Sequence, residues 1–324
     1  MCTAISYRKS NHYFGRNLDV EFTFQEKVVI TPRNYLFRLK NGSEFKNSYA
    51  LIGVAAVLED YPLYYEAANE AGLAMAGLNF PGNAVYQSPC EGKDNITAFE
   101  LIPWILGQAR TVDDAQALLE KLNLTSLTFN EHMPTSPLHF MISDRERSIV
   151  AEPMADGLHI YENPFDVMTN NPPFDYHLWN MNNYLNLTPE DAKSRFSKEY
   201  PLTSYGVGMG ALGLPGDTSS ASRFVRAAFN LTNSSCGETE AENVSQFFHV
   251  LDSVAMLKGS TLTAKGENDI TLYSCCINTD TGVFYYKTYN NNQITAVRLN
   301  EENKSSDSLT VFGLNWEQNI KYEN

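Results

Sequence analysis

The sequence predicts an α+β fold in which β-sheets are stacked between layers of helices. Two observations carry this expectation. Strand-like apolar segments, bounded by polar turns, occupy both ends of the chain, and segments with helical periodicity come in pairs between them. The strict strand-helix alternation that builds a parallel sheet is missing.

At the N-terminal end, CTAISY, HYFGRNLDV and KVVITPRNY read as strands separated by polar turns. A leading strand would hold Cys2 at a sheet end instead of on a loose terminus. YALIGVAAVLE and AGLAMAGLNF follow as strands, with Tyr61, Tyr64 and Tyr65 expected in a loop between them. From Thr97 the period becomes helical. Thr97 with Glu100 fits a capping box ahead of ITAFELIPWILGQA, and Thr111 with Asp113 and Asp114 opens a second helix through DDAQALLEKL. LHFMISD, SIVAEP and LHIYENP return to strand pattern. Helices are expected over FDYHLWNMNNYL, over SASRFVRAAF after Ser219, and over ENVSQFFHVLDSVAML. DITLYSCCIN, GVFYYKTY, QITAVRLN and SLTVFG close the chain as strands, with NTDTG and NNN as hairpin turns.

Composition narrows the class. The 324 residues are 43% hydrophobic and 12% aromatic, enough for a large core, and no compositional break divides them, so one domain over residues 1–324 is expected. The apolar run ALIGVAAVL falls far short of the roughly 20 residues that cross a bilayer. MCTAISYRKSNHYFGR lacks the apolar stretch of about 7 to 15 residues found in a secretory signal, so a cytoplasmic protein without membrane insertion is expected. The five cysteines Cys2, Cys90, Cys236, Cys275 and Cys276 are odd in number and scattered, unlike a disulfide framework. A net charge of -14 disfavours nucleic acid and anionic membranes, and leaves a small molecule as the expected partner.

Several motifs lead nowhere. Gly208, Gly210 and Gly213 match G-x-G-x-x-G, but no strand leads into them and Leu214, Pro215, Gly216 and Asp217 displace the helix that should follow. His12, His132, His139, His159, His177 and His249 form no chelating pattern, so no metal and no cofactor are expected. No G-x-S-x-G elbow occurs.

Cys2 stands apart. If Met1 is removed, this residue carries both a thiol and a free α-amine, whose ordinary pKa values of about 8.5 and 7.7 to 8.0 place both near their reactive forms at neutral pH. A gauche side chain puts the sulfur roughly 3 Å from its own nitrogen, so nucleophile and base come prepaired. By position alone, an ordinary small strand residue remains the alternative.

Met1-Cys2-Thr3, Phe14-Gly15-Arg16-Asn17-Leu18-Asp19, Asn69-Glu70-Ala71-Gly72-Leu73 and Gly77-Leu78-Asn79-Phe80-Pro81 resemble motifs of the choloylglycine hydrolases, the family of bile salt hydrolases and penicillin V acylases. So do Met168-Thr169-Asn170-Asn171-Pro172 with Phe174-Asp175, and Gly213-Leu214-Pro215-Gly216-Asp217 leading to Ser222-Arg223-Phe224. The resemblance implies a four-layer αββα N-terminal nucleophile fold, two antiparallel sheets between helical layers, and hydrolysis of a linear amide C–N bond by Cys2. It further implies catalytic roles for Arg16, Asp19, Asn79, Asn170 and Arg223, substrate contacts from Leu18, Phe24, Tyr65, Phe129 and Met133, and a homotetramer. No cofactor is implied.

Physical roles follow for each match. Arg16 beside the thiol would favour thiolate, and Asp19 would accept a hydrogen bond from the α-amine. Three apart in a strand, the two do not share a face, so a turn or bulge after FGRN is expected to bring them together. Asn79 and Asn170 are candidate oxyanion donors, with ordinary turn chemistry as the alternative. Arg223 near a helix start is unfavourable for the dipole, which points to a partner such as Asp19 or the thiolate. Two substrates compete: conjugated bile salts, releasing glycine or taurine, and penicillin V. The bile salt hydrolases resemble this chain at Asn79, where penicillin V acylases often carry an aromatic residue. A noncatalytic binding protein that keeps Met1 is the alternative of another class.

Overall fold

The computed structural model describes residues 1–131 and 134–324, so Met133, one of the expected substrate contacts, and His132 lie outside the described residues. Two large sheets dominate. The six-stranded sheet runs, edge to edge, through Val167–Met168, Cys2–Arg8, His12–Val20, Ile270–Asn278, Val283–Thr288 and Asn291–Arg298. The eight-stranded sheet runs through Gly157–Glu162, Ser148–Met154, Leu138–Ser143, Ala74–Asn79, Tyr61–Asn69, Leu51–Leu58, Lys27–Thr31 and Thr310–Gly313. Neighbours within each sheet pair antiparallel.

Strand alternation explains the layering. Ala74, Ala76 and Leu78 join one apolar cluster with Ala4 and Phe14 of the other sheet, while Leu73 and Met75 join a second cluster with Leu101, Ile105 and Val112. The eight-stranded sheet is therefore buried on both faces, between the other sheet and the helices Leu101–Leu106 and Val112–Leu119. The helices Ser220–Asn233 and Glu240–Asp252 contribute Phe224, Ala228, Phe247 and Leu251 to the first cluster and cover the six-stranded sheet. The result is the four-layer αββα arrangement. Thr111, Ser219 and Thr239 cap three of these helices through their side chains. Among the described residues no helix is long and apolar enough to cross a membrane.

Thr97 does not cap the first helix: it ends the strand Asp94–Thr97, its hydroxyl is buried without a hydrogen-bond partner among the described residues, and the helix begins at Leu101 with Glu100 before it. Two further expectations need correction. The tyrosine loop is a strand, Tyr61–Asn69, because Glu59 and Asp60 take φ of 50° and 60° and so close a tight hairpin with Leu51–Leu58. Pro62 disguised it. The second concerns the stretch after FGRN, which neither turns nor bulges: His12–Val20 is one strand through both Arg16 and Asp19. The extra residue, Leu272, lies in the opposite strand, between the pairs Asp19–Thr271 and Leu18–Tyr273. Gly15 is required here, since a Cβ on it would stand 2.0 Å from the Cys275 carbonyl oxygen.

The three glycines of the dinucleotide-like match fall in and around a short 3₁₀ turn, Met209–Ala211, with Gly208 and Gly213 at positive φ. They make a tight loop, with no strand leading into it.

Candidate active site

Cys2 begins the strand Cys2–Arg8, flanked by His12–Val20 on one side and Val167–Met168 on the other. It is buried, at 3% exposure. Its backbone N–H donates to Asn170 Oδ1 at 2.8 Å, so the nitrogen that removal of Met1 would free is already fixed by a side chain. Met1 extends the strand: its carbonyl accepts the Asp19 N–H at 2.9 Å, and its ammonium donates to the Asp19 carbonyl at 2.7 Å and to Asp269 Oδ2 at 3.0 Å. Burial disfavours that ammonium, but Cys2, Asp19 and Asp269 outweigh it and hold its pKa above the ordinary value.

Asn170 follows directly on Val167–Met168, whose pairing with Ala4 and Ile5 carries the chain past the nucleophile. Its Oδ1 also accepts from Arg223 Nη2 at 2.8 Å, and its Nδ2 donates to the Asn79 carbonyl at 2.7 Å. Both amide atoms are therefore oriented, and one Nδ2 hydrogen is left over. Arg223, fully buried in the first turns of Ser220–Asn233, donates further to the Cys2 carbonyl and to Thr3 Oγ1. Burial, the largest influence, lowers its pKa against the opposing pull of Asp19 and Cys2. Its hydrogen-bond partners are neutral oxygens, of Thr218, Cys2, Thr3 and Asn170, while Asp19 and Cys2 act on it electrostatically.

Arg16 and Asp19 serve the site from opposite faces of their strand. Arg16 points between the sheets, donating to the Gly77 carbonyl at 2.7 Å, with its Nε 3.8 Å from Glu66 Oε2. Burial opposes its charge, yet Cys2, Tyr273 and Glu66 hold its pKa above the usual arginine value. Asp19 points toward the helical layer and accepts from Thr271 Oγ1 at 2.6 Å. Its Oδ2 is buried without a hydrogen-bond partner among the described residues. Burial raises the Asp19 pKa, opposed by Arg223 and the N-terminal ammonium. Both residues are buried, at 1% and 0% exposure, so neither belongs to a surface ion pair.

Asn79 ends the strand Ala74–Asn79, is exposed, and its side-chain amide makes no hydrogen bond among the described residues. Leu18 lies opposite Cys2 in register, Tyr65 gives its carbonyl to Arg16 Nη1, and the half-exposed Phe24 ring sits 6.3 Å from that of Tyr65. Leu18 is thus tied to the nucleophile by register, and Phe24 to Arg16 through Tyr65. Phe129 does not join them: it packs against Tyr61 and Phe99 in the outer cluster, under Lys40. Its aromatic partners there give it more burial than a pocket wall would.

Sequence reasoning missed Glu66, Thr271 and Tyr273. Glu66 is fully buried, with both oxygens accepting from the Tyr273 hydroxyl at 3.0 and 2.8 Å. A lone Glu within the apolar strand Tyr61–Asn69 was its available signal.

Comparison with known proteins converges on one family. Residues 2–312 match the model of linear amide C–N hydrolases, choloylglycine hydrolase family. A bile salt hydrolase/transferase of Lactiplantibacillus plantarum is 49% identical over 97% of each chain. The crystal structure of a variant of conjugated bile acid hydrolase from Clostridium perfringens superposes with a TM-score of 0.92, at 35% identity and full coverage of both chains. Penicillin V acylase from Agrobacterium tumefaciens shares the fold, with a TM-score of 0.77 at 19% identity over 96% of this chain and 90% of its own.

Proposed function

The chain belongs to the choloylglycine hydrolase family of linear amide C–N hydrolases, and from that premise we propose that it cleaves glycine- and taurine-conjugated bile salts through a Cys2 thioester. The observation that carries the mechanism is the fixing of the Cys2 nitrogen by Asn170, itself held by Arg223. With Met1 gone, that nitrogen is an α-amine with a ready acceptor, and the orphaned Asp19 Oδ2 is a second acceptor for it.

The α-amine takes the thiol proton, and the thiolate, beside the Arg16 cation, attacks the amide carbonyl carbon. The oxyanion forms opposite the free Asn79 amide and the remaining Asn170 Nδ2 hydrogen; a donor so placed is worth about 3 to 4 kcal/mol. The α-ammonium returns its proton to the departing amine as the C–N bond breaks. Water, activated by the same amine, then hydrolyses the thioester. None of these steps calls for a cofactor.

Bile salts are favoured over penicillin V by the relatives' identity and by Asn79. The exposed Phe22 and Phe24 with Tyr65 offer an apolar grip suited to a sterol, whose burial is worth about 25 cal/mol per Å². That grip offsets the repulsion between an anionic substrate and a chain of net charge -14. The test is amine release from glycocholate, taurocholate and penicillin V by protein whose mass shows Met1 absent. Release of glycine or taurine far above penicillin cleavage is expected; the reverse order would make the chain a penicillin acylase, and silence with all three would favour a binding protein. Protein still carrying Met1 is expected to be inactive in the same assay.

A single domain, a cytoplasmic location and a homotetramer complete the proposal. Between the helix Phe174–Asn180 and the helix Ser220–Asn233, the chain holds Trp179, Leu185, Phe196, Tyr205 and Val207 in the open, the last two at 88% and 95% exposure. So much exposed apolar surface on one segment fits a contact with a second copy. Changing Tyr205 and Val207 to Asp is expected to lower the mass in sedimentation velocity, and an unchanged mass would count against this arm.

A further inference from the structure

We propose that His139 and Glu152 form a positioning pair that fixes Asn79 and Asn170 relative to one another, an inference that rests on the oxyanion role proposed for those two asparagines. His139 lies in the strand Leu138–Ser143, in register opposite Leu78, with Leu138 opposite Asn79. Its ring stacks on Phe80, the residue after Asn79, with centroids 4.3 Å apart and planes 5° from parallel. Its Nε2 lies 2.8 Å from the carbonyl of Thr169, the residue before Asn170. A carbonyl only accepts, so Nε2 carries a proton. One imidazole thus touches the chain next to both asparagines.

Glu152 completes the brace from the neighbouring strand Ser148–Met154. Its Oε1 is 3.0 Å from His139 Nδ1, and both its oxygens accept the Phe174 N–H at 3.1 Å. The pair therefore pins the segment carrying Asn170 at both ends, Thr169 and Phe174. His177 adds a third tie: its Nε2 donates to the Asn170 carbonyl at 3.0 Å, and its ring stacks on Phe224, beside Arg223, with centroids 4.8 Å apart.

Sheet assembly alone does not require this pair. Leu138–Ser143 is already bonded on both sides, to Ala74–Asn79 and to Ser148–Met154. The side chains of His139 and Glu152 are 2% and 0% exposed, and burying two such groups costs desolvation that an apolar pair would avoid. The polar pair sits where an error of an ångström between two oxyanion donors would be felt as lost rate.

The experiment compares kcat and KM of Met1-free His139→Phe, His139→Gln and Asn79→Ala, and of the double variant H139F/N79A. Phenylalanine keeps a ring against Phe80 but removes both hydrogen bonds, whereas glutamine keeps a donor toward Thr169. H139F is expected to lose about tenfold to a hundredfold in kcat with KM within about twofold, and H139Q to recover most of it. The double variant should lose less than the product of the single losses. Wild-type kcat in N79A would sink the oxyanion reading itself. A slow N79A beside a wild-type H139F, or losses that multiply fully, would sink the positioning pair alone. Should H139F fail to fold by near-ultraviolet dichroism, His139→Asn, whose amide matches Nδ1 but falls short of Thr169, replaces it and is judged by the same kcat and KM.

Discussion

Replacing Cys2 with alanine is expected to reduce turnover by about 10⁵-fold or more and to leave the fold and its thermal midpoint almost unchanged. The two halves of this result have separate causes. The proposed acyl bond forms at the sulfur, which alanine removes, and the charged and amide side chains around it do not take its place: Arg16 and Arg223 are cations, and Asn170 is committed to the Cys2 nitrogen. The backbone of Cys2, by contrast, does the structural work, pairing with Leu18 and bonding Asn170 and Arg223 through its N–H and carbonyl. Alanine keeps all of these. Amine release and a melting curve on the same sample check both halves, and normal release from the alanine variant would end the thioester mechanism.

The second large effect is on stability. Arg16→Leu is expected to cost about 3 to 5 kcal/mol above neutral pH, because it leaves the Glu66 carboxylate buried without its cation. The cost should shrink in acid. Burial, only partly countered by Arg16, pushes the Glu66 pKa from 4.5 up to about 7. A carboxyl whose folded pKa is raised binds more protons in the folded state, so it lowers stability as pH rises from the unfolded pKa to the folded one. In the native protein that window runs from 4.5 to about 7, with a loss on the order of 3 kcal/mol. Without Arg16 the window extends further upward. Denaturant midpoints measured across it should fall more steeply and for longer in Arg16→Leu than in the native chain. Adding Glu66→Gln should flatten the curve. A destabilisation by Arg16→Leu that is equal at all pH values would show that Glu66 is not the cause.

The layered fold was legible because strand and helix periods are local: the strands around Cys2, the helix capped by Thr111 and the helix capped by Ser219 all appear where the pattern puts them. The strand Tyr61–Asn69 was not, because two left-handed turn residues and a proline removed its boundary signals. Within the site, short motifs located Cys2, Arg16, Asp19, Asn170 and Arg223, but not which face each would serve. A face is known only from the partners it meets, Gly77 and Glu66 for Arg16 and Thr271 for Asp19, and these come from other strands. Glu66, His139 and Glu152 escaped notice for a different reason. Each is a single polar residue in an apolar strand, and its partner comes from another strand or a distant segment, so no spacing marks it.

The seat of Met1 bears on when the enzyme comes alive. The residue continues the first strand, its ammonium satisfied by Asp19 and Asp269 and its side chain 28% exposed. The folded sheet holds it by hydrogen bonds that a trimming peptidase must first break. Trimming and folding are thus in a race on the nascent polypeptide. A molecule that folds first is expected to stay silent, so the specific activity of a preparation should rise with the share of its mass that lacks Met1.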